Sequence, residues 1–362
     1  MVLNFKGLAQ PIDTATIFFT LTSVVFVIAL VFGGGTTQGL ASDAVVELAS
    51  LPLLGWAILR LAAAPDRRNA RLPITLLAAI LAVPLFQLTP LPPALWTLLP
   101  GRDKIVETYA LLSYELPWRP VSLQPEATFR AFLSTLPATA LFLAILTVGT
   151  RQRQLLSLGF AAFAGVSVVI GLAQIAQGEN SVFRFYEITN RGSSVGFFAN
   201  RNHYAALLCS AVPFTLIWAA YFAETRGTAW RFAAITFGLL SVVLILGTAM
   251  SFSRAGILFA ILAYLMSLIL LFLERRRSAS SKWLLVGIGL VALVVIGHYA
   301  LAGLVSTFVS KMDATIRPQI WEVTRTAAGA LLPMGGGFGT FQTVYGWYDR
   351  PEARLSGAYV NR

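Results

Sequence analysis

The sequence predicts an all-α protein, a polytopic transmembrane helical bundle. Of its 362 residues, 57% are hydrophobic and only 12% are charged, against roughly a quarter in an ordinary soluble domain. The mean hydropathy is +0.73, and a soluble protein this apolar would lack the polar surface to cover itself. Apolar runs also recur along the chain at the length of about 20 residues that a spanning helix needs. This composition excludes a soluble globular enzyme, a disordered chain and a disulfide scaffold.

Nine apolar stretches predict the spans of this bundle. They cover residues 14–34, 44–64, 72–89, 131–149, 154–176, 202–222, 232–252, 254–273 and 283–304. The first is longer than the apolar part of a signal peptide, and Lys6 is the only basic residue before it, so we interpret it as an uncleaved anchor. The predicted domains are a transmembrane bundle over residues 1–304 and an extracytoplasmic loop over residues 305–362. Because the chain stops within this loop, we expect the sequence to be a fragment.

Basic residues predict the orientation of these spans. The formal net charge is +11, from 27 Lys and Arg against 16 Asp and Glu. Four alternate connections hold eleven of the basic residues, namely Arg67, Arg68, Arg71, Arg151, Arg153, Arg226, Arg231, Arg275, Arg276, Arg277 and Lys282. Since cytoplasmic loops collect Lys and Arg, these connections and the N-terminus are predicted to be cytoplasmic. Topology therefore explains most of the positive charge, and we expect no nucleic-acid partner.

The longer connecting segments lie on the other, predicted outer side of the membrane. They cover about 90–130, about 177–201 and everything after about 305. Residues 314–331 predict an amphipathic helix on the membrane surface, because five apolar residues share one face. These residues are Ile316, Ile320, Val323, Ala327 and Leu331. The glycine cluster at residues 335–339 lacks the GK[ST] of a phosphate loop, so we expect a flexible turn there.

Arg254 is the sharpest candidate for a functional residue. It is the only charged residue between positions 232 and 273, and it lies at the outer turn of a tight predicted hairpin. An ionisable group at the edge of the bilayer is costly unless it faces a polar cavity or an anion. Two interpretations stay open, a site for a substrate phosphate and an arginine that snorkels to phospholipid head groups.

A polar run at the start of the sixth predicted span is the second candidate. Asn200, Arg201, Asn202 and His203 enter this span from the outer side. They offer amide donors and a cation at a predicted helix N-terminus, where the backbone already favours anions. The pattern is typical of an anion-binding site, and equally of ordinary N-capping by an asparagine.

The amphipathic helix carries a third candidate. Arg317 and Arg325 flank Trp321 at four-residue spacing, so the three residues share one face of the helix. Taken alone, such a stripe favours contact with the anionic membrane surface, and an anionic lipid substrate is the alternative.

Several kinds of site are absent from the sequence. Cys209 is the only cysteine, and His203 and His298 are the only histidines, which excludes a thiolate cage and a histidine-rich metal site. No two acidic residues lie within two positions of each other, so a D-x-D-type metal–nucleotide-sugar site is missing. No acidic residue lies in the middle of a predicted span to relay protons. We therefore expect neither a metal nor another cofactor.

Five motifs together resemble the O-antigen ligase and O-antigen polymerase superfamily of bacterial envelope proteins. They are FQLTPLPP at residues 86–93 with Trp96, GFFANRNHY at 196–204, SFSRAG at 251–256, RPQIW at 317–321 and PMGGGFGTF at 333–341. Their order, and their common placement on the predicted outer side, make the resemblance more specific than any single motif does.

The resemblance implies a function at the outer face of the bacterial inner membrane. Members of this family are multi-spanning, metal-independent glycosyltransferases that move a glycan from undecaprenyl diphosphate to lipid A-core or to another lipid-linked repeat. Outer-face arginines hold the diphosphate in the family, which implies catalytic roles for Arg254 and Arg317. Arg191 and Arg201 are weaker candidates for the same anion. The other implied substrate-binding residues are Asn200, Asn202, His203 and Trp321.

The family also implies a histidine base, in a helix that follows the large outer loop. Neither His203 nor His298 matches that position, so the base is either absent or lies beyond Arg362. Two other functions stay open. One is a multi-spanning transporter for an anion such as bicarbonate, which the scarcity of polar residues in the middle of the spans disfavours. The other is a catalytically inactive, truncated relative with a structural role.

Overall fold

The computed structural model describes residues 13–36, 41–63, 70–187, 189–225, 227–273 and 311–349, together with Gly287, Gly289 and Val294. Helices form nearly all of its regular structure, which confirms the predicted all-α class. The only strands within these ranges are β1 (Pro90–Leu91) and β2 (Arg119–Pro120). They pair antiparallel, with Pro90 opposite Pro120 and Leu91 opposite Arg119.

The helices of these ranges are, in chain order, α1 (Thr14–Phe32), α2 (Ala41–Ala63), α3 (Arg71–Gln87), α4 (Pro93–Trp96), α5 (Asp103–Leu111), α6 (Pro125–Leu133), α7 (Leu136–Thr147), α8 (Thr150–Gln177), α9 (Arg201–Glu224), α10 (Thr228–Met250), α11 (Arg254–Leu273), α12 (Lys311–Leu331) and α13 (Phe341–Tyr348).

Seven helical segments of the described chain are long and apolar enough to cross a membrane. They are α1, α2, the α6–α7 segment (Pro125–Thr147), α8, α9, α10 and α11. With α3, an apolar helix of 17 residues, they account for eight of the nine predicted spans. The ninth, residues 283–304, lies outside the described ranges except for three isolated positions. The chain is therefore a multi-pass membrane protein.

Local sequence signals explain several helix boundaries. Pro93 and Pro125 take the first positions of α4 and α6, where a backbone N–H is not needed. Gln152 accepts a hydrogen bond from the N–H of Gly149 at 3.0 Å and so closes the first turn of α8. Gly178, with φ +81°, ends α8 in a conformation that other residues rarely adopt.

The chain divides into two compact units. The first takes residues 1–46 and 148–309, and the second takes residues 47–147 and 310–362. Helices α8 to α11 belong to the first unit, whereas α3 to α7, α12 and α13 belong to the second. The domain boundary predicted after residue 304 falls outside the described ranges.

The core of the first unit is built around α9, which packs against α8, α10 and α11. Its buried surface mixes alanines with larger side chains such as Leu208 and Leu216. Small residues let helices approach closely in lipid, where burial of apolar surface supplies little driving force. The buried alanines of α9 are Ala205, Ala211, Ala219 and Ala220.

Helices α9 and α11 approach each other closely. A Cβ added to Gly256 would lie 2.5 Å from the Cβ of Ala205, so only glycine fits this position. One helical turn further along α9, the thiol of Cys209 donates to the carbonyl oxygen of Gly256 at 3.1 Å. These contacts hold the N-terminal halves of the two helices side by side.

Buried hydroxyl groups in α9 and α10 donate to carbonyl oxygens of their own helix. The donor–acceptor pairs are Thr215 with Val212 at 2.8 Å, Ser241 with Gly238 at 2.6 Å and Thr248 with Leu244 at 2.9 Å. Because lipid tails offer no hydrogen-bond partners, this internal bonding satisfies polar groups within the spans.

In the second unit, α12 confirms the predicted amphipathic helix. Ala327 and Leu331 are buried and pack with Leu123, which precedes α6, and with Val344 of α13. Ile320 and Val323 are half-buried on the same face. The side chain of the fifth predicted face residue, Ile316, lies outside the described part of the chain.

The glycine cluster forms a closely packed turn, which corrects the expectation of a flexible one. Gly337 has φ +109°, and a Cβ there would lie 2.5 Å from the Ser122 hydroxyl. The N–H of Leu123 donates to the carbonyl oxygen of Gly336 at 2.8 Å, and the N–H of Phe338 donates to Gln87 Oε1 at 2.8 Å. The turn therefore joins α12 to the segment that precedes α6.

The α9–α11 contact gives a prediction about stability. Gly256→Ala should lower the thermal unfolding temperature of the detergent-solubilised protein. The new methyl group forces the helices apart, which should decrease the free energy of unfolding by about 1–3 kcal/mol. Gly159→Ala in α8 is the matched control. No atom lies within 4 Å of a Cβ built there, and alanine favours a helix by about 1 kcal/mol over glycine. Equal unfolding temperatures for the two variants would contradict the proposed contact.

Candidate functional site

The N-terminal ends of α9 and α11 meet at one point of the first unit. Short turns join α9 to α10 and α10 to α11, so α9 and α11 run in the same direction. The hydroxyl of Ser253 donates to Asn202 Oδ1 at 2.8 Å. This hydrogen bond links the first turn of α9 to the residue that precedes Arg254. Two of the predicted site segments, far apart in sequence, are thereby brought together.

The turn before α11 presents Arg254 at the helix N-terminus. Ser253 caps α11, because its hydroxyl accepts a hydrogen bond from the N–H of Gly256 at 3.1 Å. Ser251 supports the turn by accepting from the N–H of Ser253 at 3.2 Å. Within the described chain, the N–H groups of Arg254 and Ala255 donate to no protein acceptor. These two amides and the exposed Arg254 guanidinium can therefore bind an anion.

The start of α9 is organised differently. Asn200 is its N-cap, and Asn200 Oδ1 accepts from the N–H of Asn202 at 2.8 Å. The carbonyl oxygen of Asn200 accepts from the N–H groups of His203 and Tyr204. Asn190 Oδ1 accepts from the N–H of Arg201 at 3.0 Å. The N-capping interpretation of Asn200 is thus confirmed. An anion at this end of α9 would meet the side chains of Arg201, Asn202 and His203 and not free amides.

The site carries positive charge without a described counter-charge. Arg254, Asn202 and His203 are exposed, and Arg201 is half-buried. Arg191 is exposed in the loop before α9. The described salt bridge between Arg130 and Glu126 belongs to the other unit and involves none of these arginines. The three arginines of the first-unit site can therefore contact an anionic ligand.

Gln174 holds the loop between α8 and α9 and was not among the predicted site residues. It is fully buried, and Nε2 donates to the carbonyl oxygens of Phe183 and Gly196, both at 2.8 Å. Oε1 accepts from the N–H groups of Val195 and Gly196, at 2.9 and 3.0 Å. One side chain thus fixes both arms of the loop. A glutamine in the last turn of a membrane-spanning helix was the signal that could have revealed it.

Arg184, inside the same loop, was also missed. Its guanidinium donates to the carbonyl oxygens of Asn190, Arg191 and Ser193. Burial lowers the pKa of Arg184, an effect that nearby Glu179 opposes and Arg191 reinforces. Arg184 therefore shapes the loop from within, and Asn190 in turn supports the backbone of Arg201. Nothing in its sequence context distinguishes it from a solvent-exposed arginine.

Three buried hydroxyl groups lie where the loop packs on α8 and α9. The hydroxyls of Ser167, Ser194 and Tyr204 have no hydrogen-bond partner in the described structure. Gly196 adopts φ +54° above Ser167 and the Tyr204 ring, where a side chain would not fit. The loop therefore packs directly onto α8 and α9.

The remaining candidates lie in the second unit. Trp321 is 70% exposed, and Arg325, one turn later, is also exposed. Both are available to a ligand or a membrane surface. Arg317 lies in α12, but its side chain is outside the described part of the chain. Its predicted role stays a prediction.

Arg102 is a buried cation in the second unit that sequence reasoning missed. It is 2% exposed and donates to the carbonyl oxygens of Pro100, Val121 and Gly335. Burial lowers the pKa of Arg102, and Arg119 adds to this effect. These bonds tie the glycine cluster to the segment after β2, so we assign Arg102 a structural role.

The described residues offer no group of three or more His, Cys, Asp and Glu side chains suited to a metal ion. No protein-family model, curated protein or solved structure matches this chain. The functional assignment therefore depends on the site geometry and on the sequence motifs.

The four hydrogen bonds by which Gln174 clamps the loop between α8 and α9 give a prediction. Gln174→Leu should destabilise the protein by about 3–5 kcal/mol, because it leaves two buried donors and two buried acceptors without partners. Gln177→Leu is the matched control, since Gln177 is exposed and accepts a single hydrogen bond from Ser181. Thermal unfolding in detergent measures both. A similar, small decrease for the two variants would contradict a clamp at Gln174.

Proposed function

We propose that this protein is a membrane glycosyltransferase. It moves a glycan from an undecaprenyl-diphosphate carrier to an acceptor, either lipid A-core or another lipid-linked repeat, at the outer face of the bacterial inner membrane. The supporting observation is the hydrogen bond between Ser253 and Asn202, which brings Arg254 close to the start of α9 and its Arg201. The five sequence motifs described above support the choice of glycan transfer among reactions of anionic lipids.

The chemistry of a diphosphate leaving group suits this site. Negative charge builds on the leaving oxygen as the glycosidic bond breaks, and an arginine fork stabilises that charge without a metal ion. Arg254 offers its guanidinium beside two unbonded amides at a helix N-terminus. We therefore assign Arg254 to the diphosphate, with Arg201 and Arg191 as further cationic contacts.

The other site residues are assigned to substrate binding. Asn202 uses its carbonyl oxygen to accept from Ser253, which leaves its amide N–H groups for the substrate. His203 is exposed on the next position of α9. Arg317 and Trp321 of the second unit are assigned to the anionic lipid on the strength of the motif resemblance. No metal or other cofactor is assigned.

The exposed arginine at the start of α11 allows a direct test. Arg254→Ala should weaken binding of undecaprenyl diphosphate to the detergent-solubilised protein by about 10- to 100-fold, since hydrogen bonds to charged groups contribute about 1.5–3 kcal/mol. Arg254→Lys should bind with intermediate affinity, because lysine keeps the charge but loses the two-pronged geometry. Titration followed by native mass spectrometry gives the dissociation constants.

Arg231→Ala is the matched control for this titration. Arg231 is an exposed arginine in the first turn of α10, on the predicted cytoplasmic side. Its replacement should leave the dissociation constant unchanged. If Arg254→Ala and Arg231→Ala bind undecaprenyl diphosphate equally well, Arg254 does not hold the diphosphate. Loss of glycan transfer in cells that carry Arg254→Ala would support the full reaction.

The orientation in the proposal is tested by reporter fusions in a bacterial host. Alkaline phosphatase, which is active only outside the cytoplasm, should be active when fused after Asn180 and inactive when fused after Arg153. Green fluorescent protein should show the opposite pattern at the same two positions. The positive-inside distribution of charge predicts these results. An active phosphatase after Arg153 would reverse the proposed topology.

A further inference from the structure

The loop that follows α8 carries an apolar tip, defined here as residues 181–186. Val182 is 82% exposed, Phe185 is 53% exposed and Phe183 is 37% exposed. A loop in water ordinarily presents polar side chains, so three outward apolar side chains in four positions indicate a different environment.

The only charged side chain of the tip turns inward. Arg184 lies between the exposed phenylalanines, yet its guanidinium donates to carbonyl oxygens of Asn190, Arg191 and Ser193. These carbonyls belong to the same loop, so Nη1 and Nη2 of the half-buried Arg184 are bonded within it, whereas Nε has no described partner. The exposed side chains of the tip, Val182, Phe183 and Phe185, are all uncharged.

The apolar side chains are held in place. Gln174 fixes the carbonyl oxygen of Phe183 at 2.8 Å. The ring of Phe185 stacks on that of Phe197, with centroids 5.6 Å apart, and Phe197 stacks on Phe163 of α8 at 4.7 Å. The tip therefore cannot bury these side chains against the protein without breaking contacts that the loop already makes.

The tip follows α8 closely in the chain, separated from it by exposed residues 178–180. This helix is long and apolar enough to span the membrane, and several of its apolar side chains are exposed. They are Val166, Val169, Leu172 and Ile175. Between Ile175 and Val182 the chain makes one short turn through Gly178. An uncharged apolar surface next to the end of a span is suited to the boundary between lipid head groups and acyl chains.

We propose that residues 181–186 insert into the membrane interface, with the lipid bilayer surface as their partner. Insertion anchors the loop between α8 and α9. Because Asn190 of this loop bonds to the N–H of Arg201 at 3.0 Å, the anchor also sets the depth at which the cationic site lies. The proposal concerns lipid contact alone and does not depend on glycan transfer.

Site-directed spin labelling tests this inference in the full chain. The variants Val182→Cys and Phe185→Cys are labelled with a nitroxide and placed in nanodiscs of phosphatidylethanolamine and phosphatidylglycerol. Power saturation then compares the accessibility of the nitroxide to oxygen, which partitions into lipid, with its accessibility to a nickel chelate, which stays in water. We expect oxygen accessibility to exceed nickel accessibility several-fold at both positions.

Matched controls lie on either side of the tip. Asn180 and Glu187 are exposed polar residues of the same loop, and Asn180→Cys and Glu187→Cys should be more accessible to the nickel chelate than to oxygen. Cys209 is the only native cysteine and is buried, so the unsubstituted chain measures background labelling. Should Cys209 react, the variants are remade with Cys209→Ser.

Two results would overturn the inference. Dominant nickel accessibility at Val182→Cys and Phe185→Cys would place the tip in water. Low accessibility to both reagents, with dipolar broadening between labels, would show that a second copy of the chain covers the tip. Val182→Cys is the decisive variant, because Val182 is the most exposed residue of the tip and its replacement removes no described contact.

Discussion

The lack of water inside a bilayer is the constraint on which the rest of this structure depends. Backbone and side-chain polar groups within a span must find partners in the protein. In the core of the first unit, several buried hydroxyls meet this constraint by bonding to the backbone of their own helix, as Thr248 does with Leu244. The buried hydroxyls of Ser167 and Tyr204 have no described partner. Close helix contacts then depend on small residues such as Gly256 against Ala205. The cationic residues Arg201 and Arg254 lie where helices begin.

The candidate site follows from this arrangement. Arg201 and Arg254 lie at the N-terminal ends of α9 and α11, where the helix dipoles add to their positive charge. The loop before α9 brings Arg191 into the same unit, and its shape comes from internal bonds made by Gln174 and Arg184. The two helix ends are used differently. Asn200 and Asn190 occupy the first amides of α9, whereas two amides of α11 stay unbonded. Arg254 is therefore the better-equipped anion contact of the two.

Much of the fold was predictable, because hydropathy and helical periodicity are local properties. Eight of nine predicted spans coincide with apolar helices. Of the five predicted apolar positions of α12, the four that the structure describes are buried or half-buried. The errors concern loops. The glycine cluster was expected to be a flexible turn, yet Gly337 packs against Ser122 because a distant segment lies over it. The roles of Gln174 and Arg102 were not predicted for the same reason, since their partners are backbone groups that no side-chain pattern reveals.

The sequence by itself determined that this protein spans the membrane several times and where most of its helices lie, because a span is identified by its own composition and length. It also singled out Arg254, Arg201 and Asn202 as polar residues in unusual positions. Only the tertiary structure decided that Asn202 and Ser253 meet at 2.8 Å, that Asn200 is committed to capping, and that Arg184 turns inward. Those outcomes depend on contacts between segments far apart in the chain, and such contacts leave no periodic mark in the sequence.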